Sequence, residues 1–214
     1  MIETNETTII LVRHGETEWN LERKQQGHLD SPLTENGVKQ AQLAAKSLAG
    51  RHVDIMYSSD LGRAVQTAEI IGTGLDMKVN LDSRLRERNF GVMQGMTVEE
   101  FQTQWPEEAA RVSNGEPDYQ VAEGESKKQF YDRCVEACDT IAGKHPRECV
   151  LLVSHGGFLQ SVFHRICRIE LTRPRCFSMI NAAINSFTIS NGDWRLVSWG
   201  VATHLDGLIA LDDL

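Results

Sequence analysis

The sequence lacks the features that would place the protein in a membrane or on nucleic acid. Its longest apolar runs are far too short to cross a bilayer, so we expect no membrane partner. The first residues contain no basic stretch followed by an apolar one, so we expect no signal peptide and a cytoplasmic location. The formal net charge of −8 disfavours nonspecific binding of nucleic acid. Any anion site must therefore be a local basic pocket.

Cysteine is also scarce and unpatterned. The chain has five cysteines, an odd number, and no C-x-x-C pair. Cys134 and Cys138 lie four residues apart, in step with Phe130 and Ile141 on one face of a predicted helix. These features favour core cysteines in a reducing cytoplasm over disulfides or a metal site.

What the sequence does contain is an alternation of strand-like and helix-like segments. The length of 214 residues fits one domain, spanning 1–214. Alternating strands and helices predict an α/β three-layer sandwich, with a mostly parallel central sheet and helices on both faces. Ser58-Ser59-Asp60 is predicted to cap one of the helices. The predicted strands are 8–13, 54–57, 78–81 and 149–153, the main helices begin near Thr34, Asp60, Ser126 and Gly157, and a hairpin over 186–199 turns at Asn191-Gly192.

Residues 92–125 break this alternation. The segment is rich in Pro, Gly and Glu, and a capping box at Thr97 predicts one short helix in it. We interpret it as a small lid insertion. Its aromatic residues, Phe101, Trp105 and Tyr119, are expected to form a core of the lid, and contact with a weakly charged leaving group is the alternative.

Two of the predicted strands end in a histidine followed by glycine. Arg13-His14-Gly15 follows one apolar run, and His155-Gly156-Gly157 follows another. Ligands of open α/β sheets bind at the carboxyl ends of strands, where these two imidazoles would meet. Arg13, together with Arg63 early on a helix, supplies planar forks that match phosphate oxygens. The pattern therefore predicts chemistry on a phosphate, with neutral His14 as the nucleophile.

A metal site is the rival chemistry for these residues. It would draw on His14, Glu16, His28, Asp30 or His155. No H-x-H, H-E-x-x-H or paired-carboxylate spacing supports it, so we expect neither metal nor cofactor.

Ordered motifs along the chain resemble the histidine phosphatase superfamily, the phosphoglycerate mutase-like proteins. The resemblance covers nearly the whole sequence, and the motifs are highly specific together. The matching segments are LVRHGETEWN at 11–20, QG at 26–27, DSPLT at 30–34, YSSDLGRAVQTA at 57–68, LRERNFG at 85–91 and VSHGG at 153–157.

The resemblance implies a role for each matching position. His14 would become a phosphohistidine, and Glu87 would give a proton to the leaving oxygen and later serve as the base for water. The phosphoryl group would be held by Arg13, Arg63, His155, Asn20 and the backbone of Gly156, while Gln26 and Gly27 would line the substrate side.

The family contains hydrolases and mutases, and the shared motifs do not separate them. A mutase needs extra basic residues for a carboxylate and a second phosphate, yet residues 92–125 hold eight acids and one base, Arg111. We therefore expect a metal-independent phosphomonoesterase, similar to the histidine acid phosphatases, acting on a small phosphomonoester. A bisphosphoglycerate-dependent phosphoglycerate mutase and a non-catalytic phospho-ligand-binding module are the alternatives. The sequence leaves the oligomeric state open, a homodimer included.

Overall fold

The computed structural model describes residues 5–208, which form a six-stranded sheet covered by helices on both faces. The strand order is β3-β2-β4-β1-β5-β6. The first four strands in this order are parallel, β5 is antiparallel to β1, and β6 is antiparallel to β5. The predicted α/β class is confirmed, as is the hairpin at one edge. The strands are β1 Thr7–Arg13, β2 Ile55–Ser58, β3 Val79–Leu81, β4 Cys149–Ser154, β5 Ile184–Ser190 and β6 Asp193–Val201.

Seven helices accompany these strands within the described residues. They are α1 Glu18–Leu21, α2 Glu35–Leu48, α3 Gly62–Leu75, α4 Val98–Gln104, α5 Pro106–Ser113, α6 Lys127–Lys144 and α7 Gly156–Cys167, with short 3₁₀ helices at Ser83–Leu85, Gly91–Met93 and Thr203–Leu205. Thr34 caps α2, and Ser126 forms a capping box with Gln129 at the start of α6, as the sequence predicts.

The apolar run in β1 packs on both sides of the sheet. Ile9 and Leu11 face the core beneath α6 and α7, whereas Ile10 and Val12 face the core beneath α2 and α3. Side chains alternate between the faces of a strand, so a strand buried on both faces needs an unbroken apolar run. This burial fixes β1 at the centre of the fold.

The cap of α3 differs from the prediction. Its N-cap residue is Leu61, which makes no side-chain cap, and the Ser58-Ser59-Asp60 segment does not supply one. Instead, the Asp30 carboxylate accepts hydrogen bonds from the backbone N–H groups of Gly62 (2.5 Å) and Arg63 (3.3 Å). This cap comes from a loop more than thirty residues upstream, so no local pattern could indicate it.

The segment 92–125 contains more helix than predicted. Beside α4, the expected helix, it forms α5, which starts at Pro106, where the missing N–H costs no helical bond. Phe101 and Tyr119 are buried in a small apolar cluster with Met93, Ala109 and Val121, as expected. Trp105 is 39% exposed, so its prediction as a core residue was wrong.

The predicted core placement of the cysteines is right only in part, since Cys167 and Cys176 are exposed and Cys149 is half-buried. All five cysteines are free thiols, and Cys134 and Cys138 are fully buried on α6, where burial raises the pKa of both. In the described part of the chain, no helix has both the length and the apolar character needed to span a membrane.

Candidate active site

The parallel pairing of β1 with β4 brings the two histidine segments together. Arg13 lies opposite Ser154 in the register, and the backbone N–H of His14 donates to the Ser154 carbonyl at 2.9 Å. The His14 and His155 ring centroids are 5.2 Å apart, with planes tilted by 58°. The prediction that the two imidazoles meet is confirmed.

The His14 imidazole is held in one tautomer. Its Nδ1 lies 2.8 Å from the Gly15 carbonyl oxygen, which can only accept, so Nδ1 carries the proton and Nε2 keeps a lone pair. Burial lowers the pKa of His14 well below its ordinary value, and the positive charges of Arg63 and Arg13 lower it further. The His14 imidazole is therefore neutral at cellular pH, with a lone pair on Nε2.

His155 lies in a similar environment. Its Nε2 shares a hydrogen bond of 2.8 Å with the Ser59 hydroxyl, a contact that the sequence did not indicate. Burial lowers the pKa of His155 well below the ordinary range, and the charges of Arg63 and Arg13 act in the same direction. Its other ring nitrogen, Nδ1, has no hydrogen-bond partner among the described residues.

Arg63 is a buried cation held by loop carbonyls. Its guanidinium donates to the carbonyl oxygens of Gly27 and Leu29, both at 2.8 Å, and to the Asp30 carboxylate at 3.0 Å. Its side chain is 1% exposed, so the charge is shielded little by water. The same loop that caps α3 therefore also positions its arginine.

The guanidinium of Arg13 is anchored by a different segment from the one that holds Arg63. One of its terminal nitrogens donates to the Met179 carbonyl, in the segment before β5. Asn181, in the same segment, donates to the carbonyl of His14 at 3.0 Å. The loop before β5 thus holds the end of β1 in place.

Among residues 5–208, the Glu87 carboxylate accepts hydrogen bonds only from backbone N–H groups. Its Oε1 accepts from the N–H of Arg88 at 2.8 Å, and its Oε2 accepts from the N–H of Gly157 at 2.9 Å. A Cβ atom at position 157 would lie 2.2 Å from Oε1, so only glycine leaves room for the carboxylate. The first turn of α7 therefore sets the position of Glu87.

Asn20, expected to hold the phosphoryl group, also lies at the site, as do Gln26 and Gly27, expected on the substrate side. The Oδ1 of Asn20 accepts from the Thr17 N–H at 3.0 Å, and Gln26 Nε2 donates to the Thr17 hydroxyl at 2.8 Å. Gly27 adopts a φ of +55°, which glycine tolerates best, and its carbonyl turns toward Arg63.

These side chains surround a cleft of about 530 Å³, which we call the active-site cleft. His14 and His155 are buried beside its arginines. The sequence did not single out Arg23, Lys24, Phe90 and Gln160 as site residues, because nothing local distinguishes them from ordinary surface residues. The lining includes Arg13, Asn20, Gln26, Gly27, Arg63, Glu87 and Gly156, all predicted, and also Arg23, Lys24, Phe90 and Gln160.

The rival metal ligands do not converge. Glu16 accepts from the Thr34 hydroxyl at 2.7 Å and from the Asn36 amide at 3.2 Å, which makes it a structural residue. His28 Nε2 donates to the Glu87 carbonyl at 2.9 Å. Between residues 5 and 208, no three His, Cys, Asp or Glu side chains are grouped so that they could hold a metal ion.

Comparison with known proteins identifies the family. The chain matches the model of the histidine phosphatase superfamily (branch 1) over residues 9–202, and it belongs to that superfamily. It is 39% identical over 205 residues to phosphoglycerate mutase-like protein 4 of Arabidopsis thaliana, covering 92% of this chain and 86% of the relative. It is 35% identical over 210 residues to a metal-independent phosphoserine phosphatase of the same plant, covering 97% and 87%.

A solved structure of a phosphatase is also similar to this chain. A phosphoserine phosphatase mutant from Entamoeba histolytica, determined with phosphoserine, is 31% identical and superimposes with a TM-score of 0.81. The match covers 93% of this chain and 99% of that one. Phosphatases and mutase-like proteins are thus both relatives of this chain.

The lowered pKa values of the two histidines predict how stability depends on pH. The unfolded chain takes up protons at both imidazoles near pH 6.5, while the folded chain does not, so the free energy of unfolding falls as the pH is lowered. Each histidine contributes a loss of up to about 1.4 kcal/mol between pH 7.5 and 5.5. The His14→Gln variant should show a shallower pH dependence of urea unfolding than the wild type. An equal pH dependence of unfolding in the variant and the wild type would contradict the lowered pKa of His14.

Proposed function

We propose that this protein is a phosphomonoester hydrolase that works without a metal, through a phosphohistidine on His14. The observation that carries the proposal is the neutral His14 imidazole, whose Nδ1 is tied to a carbonyl, beside two buried guanidinium groups. The relatives described as phosphatases, one of them metal-independent, support the same reaction class.

In the first step, His14 Nε2 attacks phosphorus and the bond from phosphorus to the ester oxygen breaks. Arg13 and Arg63 stabilise the charge on the phosphoryl oxygens, because their forks are already fixed in a site with little water. His155 donates to the same oxygens, and a bound dianion favours the protonated form of its ring. The leaving oxygen takes a proton from Glu87.

In the second step, water attacks the phosphohistidine and the phosphorus–nitrogen bond breaks. Glu87 accepts the proton of the attacking water, and inorganic phosphate leaves with His14 neutral again. The segment 92–125 acts as a lid in this scheme, since Val98 and Glu99 at the start of α4 line the active-site cleft.

A second candidate, the mutase reaction, is favoured by two observations. A mutase-like relative is 39% identical, and Arg23 and Lys24 place positive charge in the active-site cleft outside the predicted phosphate pocket. The acidic composition of the lid segment favours the hydrolase.

A coupled assay separates the two reactions. With 3-phosphoglycerate, we expect phosphate release that 2,3-bisphosphoglycerate does not accelerate and that EDTA does not reduce. If phosphoglycerates interconvert faster than they are hydrolysed, and only with the bisphosphate present, the protein is a mutase and the hydrolase proposal is wrong. A loss of activity in EDTA would contradict metal independence.

The His14→Ala variant tests the nucleophile. Turnover of p-nitrophenyl phosphate should fall to the uncatalysed background, and acid-labile phosphate labelling should vanish with it, because no other described group replaces Nε2. The His52→Ala variant is the matched control, since the His52 side chain is 83% exposed and distant from the site. Full activity of His14→Ala would refute the mechanism.

The Gly157→Ala variant tests the position of Glu87. The added methyl group would lie 2.2 Å from the present position of Glu87 Oε1, so the carboxylate must move. Because the proton donor is then misplaced, we expect kcat to fall by about 100-fold. Gly143→Ala, on α6, is the control, because nothing lies within 4 Å of the added methyl. If both variants keep the wild-type kcat, Glu87 is not the proton donor.

A further inference from the structure

A second, smaller cavity adjoins the active-site cleft. Its volume is about 100 Å³, and it shares Phe90, Gly157 and Gln160 with the lining of the cleft. Its remaining walls include Arg88 and Lys127. We call it the anion cavity, for reasons that follow from its charges.

Positive charge in the anion cavity exceeds the negative charge that faces it. Arg88 is 9% exposed, and its Nε donates to the backbone carbonyl of Glu125 at 2.9 Å. Lys127 is partly buried, and the pKa of its ammonium group is lowered first by that burial and then by the charge of Arg88. Within residues 5–208, no carboxylate forms an ion pair with Lys127.

Two nearby carboxylates, Glu87 and Glu125, offset part of the charge of Arg88, since both raise its pKa against the effect of burial, but neither pairs with Lys127 in the described residues. Glu125 forms an ion pair with Arg133 at 2.8 Å, and Glu87 accepts from two backbone N–H groups. Two like charges close together in a poorly hydrated place are costly unless an anion compensates them.

A buried histidine completes the cavity. His164, on α7, is 3% exposed, and neither of its ring nitrogens has a hydrogen-bond partner among the described residues. Burial and the charge of Lys127 lower its pKa, so the ring is neutral and offers one N–H donor. A buried polar group without a partner costs free energy that a ligand would recover.

We propose that the anion cavity binds a negatively charged group on the leaving-group side of the substrate, a carboxylate or a second phosphate. This proposal rests on the hydrolase function and narrows its substrate class. Gly157, Ser161 and His164 follow one another along one face of α7, so the cavity extends from Glu87, where the leaving oxygen departs, along the helix. Residues 92–125 supply no cation to the anion cavity, whose positive charges come from Arg88 and from Lys127 at the start of α6.

A pair of substrates that differ by one carboxylate tests the proposal. We expect the wild-type protein to have a higher kcat/KM for phosphoserine than for phosphoethanolamine. The Lys127→Gln variant should lower that ratio about tenfold, because a charge-assisted hydrogen bond is lost, and Lys127→Arg should retain it within about threefold. Propanediol bisphosphate against propanediol monophosphate tests a second phosphate in the same way.

Lys128→Gln is the matched control. Lys128 is the next residue along, is 53% exposed and pairs with Asp132, so its substitution should leave the ratio unchanged. If Lys127→Gln lowers the rates for both substrates equally, or if the wild type does not discriminate within either pair, the anion cavity is not a substrate subsite.

A binding measurement separates this proposal from the hydrolase function. Phosphoserine added to ¹⁵N-histidine-labelled His14→Ala protein should shift the His164 ring signals, and phosphoethanolamine should not. These shifts in a protein whose wild type shows no turnover would support the anion cavity and refute the hydrolase. Turnover by the wild type without these shifts would support the hydrolase function and refute the anion cavity as a substrate subsite.

Discussion

The parallel pairing of β1 with β4 is the constraint on which the rest of the structure depends. Because the two strands run in the same direction, their carboxyl ends meet at one edge, and the register places Arg13 beside Ser154. His14 and His155 directly follow the ends of these strands, so their ring centroids lie 5.2 Å apart. The apolar faces of β1, buried on both sides, hold this register against a slip.

The burial of two arginine side chains, Arg13 and Arg63, is the second constraint on the site. Arg63 is kept in the interior by carbonyls of the loop 27–30 and by Asp30, and Arg13 is anchored by Met179. Burial, and then the charges of Arg63 and Arg13, keep His14 neutral, and the two cations attract a phosphate dianion to the site. When no anion is bound, this buried positive charge lowers the free energy of unfolding, which is common in sites organised for charged substrates.

The sequence predicted the fold class and the meeting of the two histidines because both follow from local patterns, the period of apolar residues and the position of a histidine at a strand end. It also placed Arg63 and Glu87, but the role of Glu87 came only from family resemblance, since nothing local separates it from its charged neighbours. Contacts between distant segments stayed hidden, such as the Asp30 cap of α3 and the Ser59 contact to His155. The cluster of Arg88, Lys127 and His164 was missed for the same reason, because its members come from three separate elements.

The central claim is that His14 carries the phosphoryl group between the two steps. The most direct test is to quench the protein during turnover of a ³²P-labelled phosphomonoester and to map the label by tryptic digestion under alkaline conditions. We predict acid-labile phosphate on the peptide 14–23, which contains a single histidine, with the phosphate on Nε2. Label on the peptide 148–165, which contains His155 and His164, or turnover with no labelled histidine, would contradict the account.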